Sequence, residues 1–388
     1  MLYHNLQNST QFISLANITP EFGGPMNPMQ SPEEEYHLIA DVKRVLYKVI
    51  TPTLCVIGCA GNGLNLLVLT RIRMRKAEGG KDGGTNLGLI LLAVSDMFFC
   101  ITLFPRTFIS ETKSLFDHRN FWCLYQVYGT GVVTTFILTS TWITVVMATI
   151  RYIGICHPFC FRKIDSFKFA RTAYLIVMIS CIIVNLPLFF QYKIADLPLP
   201  DGTVYLLDIG YLDQTTAKGK AYMWIRFILG TCIPLVVMSY CNISLIKALQ
   251  HSYRMRKRYH VQETVSSTSN RVTLTLIIIV MLFFLLVLPS ELMDFFSDLI
   301  NLDAAKTEVF LFIRAMANVL QVLNFSFNFI LYCIINVHFR GVLLDLTSCG
   351  GRLFTHSQYN SRRSASRTSC SHLSLKSVVS VNNRITMT

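Results

Sequence analysis

Seven stretches of this chain are each long and apolar enough to cross a bilayer as a helix of roughly 20 residues. They cover about 47–70, 86–108, 121–150, 170–191, 222–249, 272–299 and 308–335. Stretches such as Leu274 to Pro289 carry no polar face, so they cannot pack as the amphipathic helices of a soluble core. Only 15% of the residues are charged, against about 25% in soluble domains. The pattern predicts an all-α fold, a seven-transmembrane helix bundle over 46–349 that ends in a short amphipathic eighth helix opening at Phe339-Arg340. Polar tails flank it at 1–45 and 350–388, the first with an acidic run Glu33-Glu34-Glu35, the second rich in Ser, Thr and Arg and expected to be disordered.

A net charge of +13 would suit nucleic acid, but its distribution points elsewhere. With the N-terminus outside, the inner segments hold 23 Lys and Arg against 12 on the outer side, and five acids against 16. This is the positive-inside pattern. A basic inner face beside anionic lipid needs no nucleic acid, so the expected location is the plasma membrane, multi-pass, with the N-terminus extracellular. Residues 1–20 lack the apolar core of a cleavable leader. The sequons at Asn8 and Asn17 fall in the external tail, where glycosylation is possible; those at Asn242 and Asn324 lie inside spans and should be unused. Most of the twelve cysteines sit within spans and read as small apolar side chains. Cys349, just past the amphipathic segment, is the candidate for lipidation. The glycine-rich 79–84 loop has no preceding strand and no Gly-Lys-Ser/Thr, so it is not a phosphate cradle. No repeat links the two halves, which disfavours an inverted-repeat transporter.

Polar residues recur at fixed places in the spans. Gly61-Asn62 lies in the first, Leu92-Ala93-Val94-Ser95-Asp96 in the second, and Ile150-Arg151-Tyr152 with Cys156-His157-Pro158 at the end of the third. Pro234 lies in the fifth, Phe283 and Pro289 in the sixth, and Asn324, Asn328 and Tyr332 in the seventh. Each is weak alone. Their order, one set per matching span, resembles the rhodopsin-like (class A) G-protein-coupled receptors over roughly 45–350. Asn242 in the fifth span, Leu288-Pro289-Ser290-Glu291-Leu292-Met293-Asp294-Phe295 and Tyr332-Cys333 are similar to invertebrate neuropeptide receptors of the FMRFamide, myosuppressin and sex-peptide receptor group.

Asp96 stands out even without the resemblance. A carboxylate in mid-bilayer must face the bundle interior and find partners. The resemblance implies a central site for an allosteric sodium ion at Asp96, Ser140, Asn324 and Asn328, and oxygen donors suit that hard cation. Otherwise the group is a neutral, hydrogen-bonded acid. The resemblance also implies that Arg151, Tyr152 and Pro158 meet a heterotrimeric G protein, while Pro234, Phe283, Pro289, Asn328 and Tyr332 take part in activation. Arrestin, receptor kinases and an extracellular ligand complete the implied partners. Ile150 replaces the usual acid beside Arg151, and Ser269 stands where helix six often has another, so the inactive-state lock should be weak. Phe329 replaces a proline, which puts the bend of the seventh helix in doubt. The 192–220 loop has no cysteine, and Cys123 lies 28 residues before Arg151, where the family has 25 and this chain has Gln126. The usual loop disulfide is therefore not expected.

Val133 stands where amine receptors carry aspartate, and Val322 where opsins carry their lysine. Both ligand classes are disfavoured. Glu291, Asp294 and Asp298 are three and four apart and share a helical face. Arg106 and Arg314 sit at similar depth. With Gln126, Asn318 and Gln321 they make up the candidate ligand-binding residues. The acids would attract a cationic ligand or form an internal network with the arginines. The leading reading is a receptor for a short basic, C-terminally amidated neuropeptide. A receptor for a lipid or small carboxylate on the same fold, held by Arg106 and Arg314, is the alternative, and a transporter or channel is a third. The spacing of its His, Cys and acidic residues suggests no enzyme, catalytic residue or cofactor.

Overall fold

The computed structural model describes residues 32–76, 83–109, 115–116, 120–161, 166–199, 202–210, 216–259, 277–278, 280–299, 307–335 and 337–347. Seven helices there are long and apolar enough to span a membrane: α1 (His37–Arg71), α2 (Gly84–Phe108), α3 (Phe121–Cys156), α4 (Phe167–Phe190), α5 (Ala217–Ser252), α6 (Val280–Ser297) and α7 (Glu308–Ser326). The chain past α7 resumes helix at Asn328–Ile335, and α8 follows at Val337–Thr347. Asn8, Asn17, Ser269, Cys349 and the whole 350–388 tail lie outside the described residues.

Helix is described from Pro32 onward and runs unbroken into the first span, past residue 45. The charges at 33–44 make this segment polar, so the sequence does not mark it as a helix. Lys43 Nζ meets Glu308 Oε2 at 2.7 Å and ties the segment to the start of α7.

Polarity runs inside-out. Asn62, Asn65, Asp96, Asn185 and Ser290 are fully buried, while Leu175, Ile176, Ile179, Ile182 and Ile183 of α4 are exposed. Lipid removes any drive to bury apolar groups, and polar groups must find partners within the bundle.

Proline explains most helix irregularities. It has no N–H and cannot continue an intrahelical ladder. α2 and α4 end in 3₁₀ turns at Phe104–Phe108 and Leu186–Phe190, each with proline in its first two positions. α1 and α5 carry one wide turn each, at Leu46–Ile50 and Ile228–Cys232, closed by Thr51 N–H to Leu46 O and Ile233 N–H to Ile228 O. In each case the next residue is proline, Pro52 or Pro234. The next carbonyl in the wide register of α5 is that of Leu229, whose donor would be Pro234. It accepts instead from Trp142 Nε1 of α3 at 3.1 Å. Trp142→Phe removes that donor and leaves a carbonyl unpaired inside a membrane helix, a loss of about 1–3 kcal/mol. The expected result is a lower thermal midpoint in detergent; an unchanged midpoint would show that the bond contributes nothing.

The loops after α2 and α4 carry a small sheet of β1 (Leu115–Phe116), β2 (Tyr192–Leu199) and β3 (Gly202–Ile209), all antiparallel and ordered β1-β3-β2. The eight-residue pairing of β2 with β3 gives the cysteine-free loop a regular structure of its own. Lys193 faces Asp208 across it at 3.2 Å. Gly210 closes the turn back onto α4, where a Cβ would lie 2.3 Å from the Phe190 carbonyl oxygen.

Tyr174 of α4 is 1% exposed and fits over Gly88 of α2, with Met147 of α3 beside it. This tyrosine is the one tyrosine of a helix that has no tryptophan. It anchors an inner core with Val68, Leu92, Ile143, Ile150, Tyr332 and Phe339.

Candidate functional site

At mid-depth, Asp96 of α2 is fully buried. Ser140 Oγ donates to its Oδ1 at 2.7 Å, and the Asn328 amide Nδ2 donates to its Oδ2. Asn324 is half-buried on α7 and is not among the described hydrogen-bond partners of Asp96. Three of the four residues expected here are therefore joined by hydrogen bonds, and none is described between Asp96 and Asn324.

α7 is interrupted even though Phe329 replaces a proline. Helix stops at Ser326, Phe327 takes φ −97° and ψ 5°, and helix resumes at Asn328. Polar contacts account for it. Asn62 Nδ2 donates to Phe325 O at 2.9 Å, capturing a carbonyl that a continuous helix would use at residue 329. Ser326 Oγ bonds both Leu54 O at 2.9 Å and Val322 O at 2.8 Å, a local bond of the kind that bends helices. Gly58 permits the approach, since a Cβ there would lie 2.8 Å from Ser326 Oγ and 2.5 Å from Cys100 Sγ. α7 is thus pinned to α1 and α2 where it breaks.

At the inner end, Arg151 is 8% exposed, with Tyr174 within its electrostatic reach. Ile150 beside it is buried in the apolar core. Tyr152 Oη lies 3.0 Å from His157 Nε2 and 3.2 Å from Tyr240 Oη, linking α3 to α5. Pro158 is exposed and opens a single helical turn. Tyr332 is 2% exposed, stacks near Phe339 of α8, and its hydroxyl has no hydrogen-bond partner among the described residues. Between this end and the outer pocket, Phe283 packs with Val145, Met238, Val280 and Val287, and Pro234 is buried on α5. Pro289 lies just past a turn in α6 at Val287.

At the outer end, two of the three acids on α6 already have partners on α7. Asp294 Oδ1 accepts from Arg314 Nε at 3.0 Å and Nη2 at 2.9 Å. Glu291 Oε1 accepts from Gln321 Nε2 at 3.0 Å. Ser290 Oγ reaches Asn318 Oδ1 at 2.8 Å and Gln321 Oε1 at 3.2 Å, and Asn318 Nδ2 donates to Tyr47 Oη at 3.1 Å. A single polar network thus crosses α1, α6 and α7. Arg226 of α5 is within electrostatic reach of Glu291. Asp298 lies just past Ser297, in the last turn of the helix described over Leu288–Leu299, its side chain outside the described residues. Among the described residues Arg106 meets no acid; its Nη1 donates to Thr130 Oγ1 at 3.2 Å. Gln126, half-buried, is one turn above Thr130 on α3. Sequence reasoning missed Tyr47, Ser290 and Thr130, which are ordinary residue types until three helices are brought together.

A seven-helix membrane bundle with a polar centre at Asp96, a pinned break in α7 and a buried arginine at its inner end has the layout of a transmembrane receptor. Residues 64–332 match the family described as 7 transmembrane receptor (rhodopsin family). The chain belongs to that family, and is a multi-pass membrane protein and a G-protein-coupled receptor rather than an enzyme. It is 24% identical to sex peptide receptor-related protein 2 of Caenorhabditis elegans, over 85% of this chain and 78% of that protein. It is 21% identical to the FMRFamide receptor of Drosophila melanogaster, over 80% of this chain and 56% of that receptor. It is 24% identical to rhodopsin of Scyliorhinus canicula, over 76% of this chain and 79% of that protein.

Proposed function

We propose that this receptor takes a short basic, C-terminally amidated neuropeptide and passes the signal to a heterotrimeric G protein. The observation that carries the reading is the outer network of Glu291, Asp294, Ser290, Asn318 and Gln321, which sets carboxylates beside amide donors and acceptors. Carboxylates suit a ligand guanidinium, and the amides suit a peptide's terminal amide. The names of two relatives, an FMRFamide receptor and a sex peptide receptor-related protein, support it. A screen of amidated peptides on cells expressing the chain, read by calcium and cyclic AMP, tests it directly.

Asp298 is the proposed partner of a ligand arginine, with Glu291 or Asp294 helping. Asp294 can help only by sharing its carboxylate between that arginine and Arg314. Losing a desolvated charge pair costs on the order of 2–5 kcal/mol, or roughly 30-fold or more in affinity. Asp298→Ala should therefore weaken an arginine-bearing agonist steeply, and much less an analogue whose arginine is already replaced. A double-mutant cycle isolates the pair; simple additivity would exclude Asp298 as the partner.

The centre is proposed to bind sodium when α7 moves. Asp96 and Ser140 offer oxygens, and a turn of the Asn328 amide would present its oxygen in place of its N–H, with Asn324 nearby on α7. These donors fit a hard cation. Asp96→Asn should abolish any difference in agonist affinity between sodium and an inert organic cation. A wild-type affinity indifferent to sodium would remove the site.

The N-terminus is proposed to be extracellular and glycosylated at Asn8 and Asn17, the receptor to reside in the plasma membrane, and Cys349 to be lipidated. Ser364, Ser366 and Ser369 are the proposed targets of receptor kinases, with arrestin recruited to the phosphates.

A further inference from the structure

The outer cations do not all have acids. Lys43, Arg44, Lys193 and Arg314 each hold a carboxylate. Lys48 and Arg106 instead face neutral oxygens among the described residues. Lys48 Nζ of α1 donates to Thr107 O at 2.6 Å and Ile109 O at 3.3 Å. Arg106, in that same turn, reaches Thr130 of α3 with Nη1 at 3.2 Å. Two full positive charges therefore converge on the turn that ends α2.

The direction of Arg106 matters. Thr130 is three residues before Val133 and four after Gln126, so the three share one face of α3. Val133 is buried against Val322 and Phe325 of α7, which makes that face the interior one. The guanidinium thus lies about one turn above the core floor and on the bundle side of α3. Carbonyl capping at a helix end explains the place of Lys48. It does not explain Arg106, whose exposed guanidinium has five N–H donors and a hydroxyl as its described partner. Across the bundle, Glu291 is hydrogen-bonded by a neutral amide. This end of the bundle therefore carries cations facing neutral oxygens at the α1–α3 corner and, at α6, the carboxylates Glu291 and Asp294, the second held by Arg314.

We infer that the α1–α3 corner is an anion subsite, in which Arg106, with Lys48 adding charge, binds a carboxylate of the ligand. The inference rests on the peptide reading for the rest of the ligand: the peptide would carry an acidic residue for Arg106 as well as a cation for α6. A guanidinium takes a carboxylate through two parallel hydrogen bonds, which a lysine cannot reproduce. The same subsite would accept a small free carboxylate, and the experiment separates the two sources.

The probes are a positional-scanning library of C-terminally amidated hexapeptides and a panel of fatty acids and dicarboxylic acids. They are applied to cells expressing the full chain, with surface receptor counted through an epitope tag. In the wild type, pools with Asp or Glu fixed at one position should outperform pools with Asn or Gln there by roughly tenfold. Arg106→Glu should invert that order in favour of Lys or Arg at the same position, and Arg106→Gln should flatten it. An acid preference unchanged in both variants at normal surface counts would overturn the subsite. Activation by peptide pools with no acid preference overturns it too, while leaving the peptide reading standing. Activation by small carboxylates alone, lost in Arg106→Gln, supports the subsite and overturns the peptide reading.

Discussion

Arg151→Ala is expected to silence signalling while leaving agonist binding and surface count close to wild type. Arg151 lies at the inner end of α3, nine-tenths buried, between the apolar core at Ile150 and the Tyr152–Tyr240 link to α5. A buried charge is costly unless it is paired, and an ionisable residue within a span is by default a functional candidate. The proposed role of Arg151 is to donate to a partner's carbonyls once the ends of the helices separate. Removing the side chain removes those donors but little of the pocket, which lies at the other end of the bundle. Second-messenger output should fall to background across the agonist concentration range, with binding changed less than about threefold. A mutant that signals normally would show that Arg151 is an ordinary inner-face arginine. Ile150→Asp supplies the complement: a carboxylate beside Arg151 should lower basal output if the missing acid is what leaves the lock weak.

The spans were legible in the sequence because a helix in lipid must be apolar around most of its circumference. The polar exceptions were legible for the same reason: Asp96, Asn328 and Arg151 are expensive there, so they stand out. What failed to show follows from the converse. The Pro32–Val45 segment is helical but rich in charged residues, and a polar helix resembles a polar tail in sequence. The break in α7 looked doubtful without its proline, yet Asn62, Ser326 and Asn328 produce it through contacts with α1, α2 and α7 itself. Apart from the local Ser326–Val322 bond, these contacts join residues more than 200 positions apart, and no local pattern announces them. The spacing of the acids on the sixth span could not tell that Asp294 would be claimed by Arg314 while Arg106, among the described residues, would meet the Thr130 hydroxyl. The wide turns before Pro52 and Pro234 were within reach, since proline removes a known donor, but only the fold identifies Trp142 as the group that takes up the stranded carbonyl.

Gly88→Val should leave almost no receptor at the cell surface. Gly88 of α2 is the floor on which Tyr174 of α4 and Met147 of α3 rest. A Cβ built there would lie 2.2 Å from Tyr174 Oη, 2.6 Å from Met147 Cγ and 2.8 Å from Tyr174 Cζ. These neighbours cannot yield easily. Met147 is fully buried, Tyr174 is 1% exposed, and both belong to the inner core that also holds Tyr332 and Phe339. Overpacking in a tight core costs about 1–3 kcal/mol, and a branched side chain at this spacing should exceed that range. The graded test uses Gly88→Ala, which adds only the Cβ. It should lower both surface count and thermal midpoint, and Tyr174→Phe in the same chain should restore part of the loss by removing the nearest atom. The rescue will be incomplete, because Met147 Cγ remains and the 3.5 Å bond from Tyr174 Oη to Gly84 O is lost. If Gly88→Ala alone matches the wild type, helices α2 and α4 are not held at this separation by the glycine. If Tyr174→Phe deepens the loss, the tyrosine hydroxyl contributes more through its bond to Gly84 than it would crowd the new methyl group.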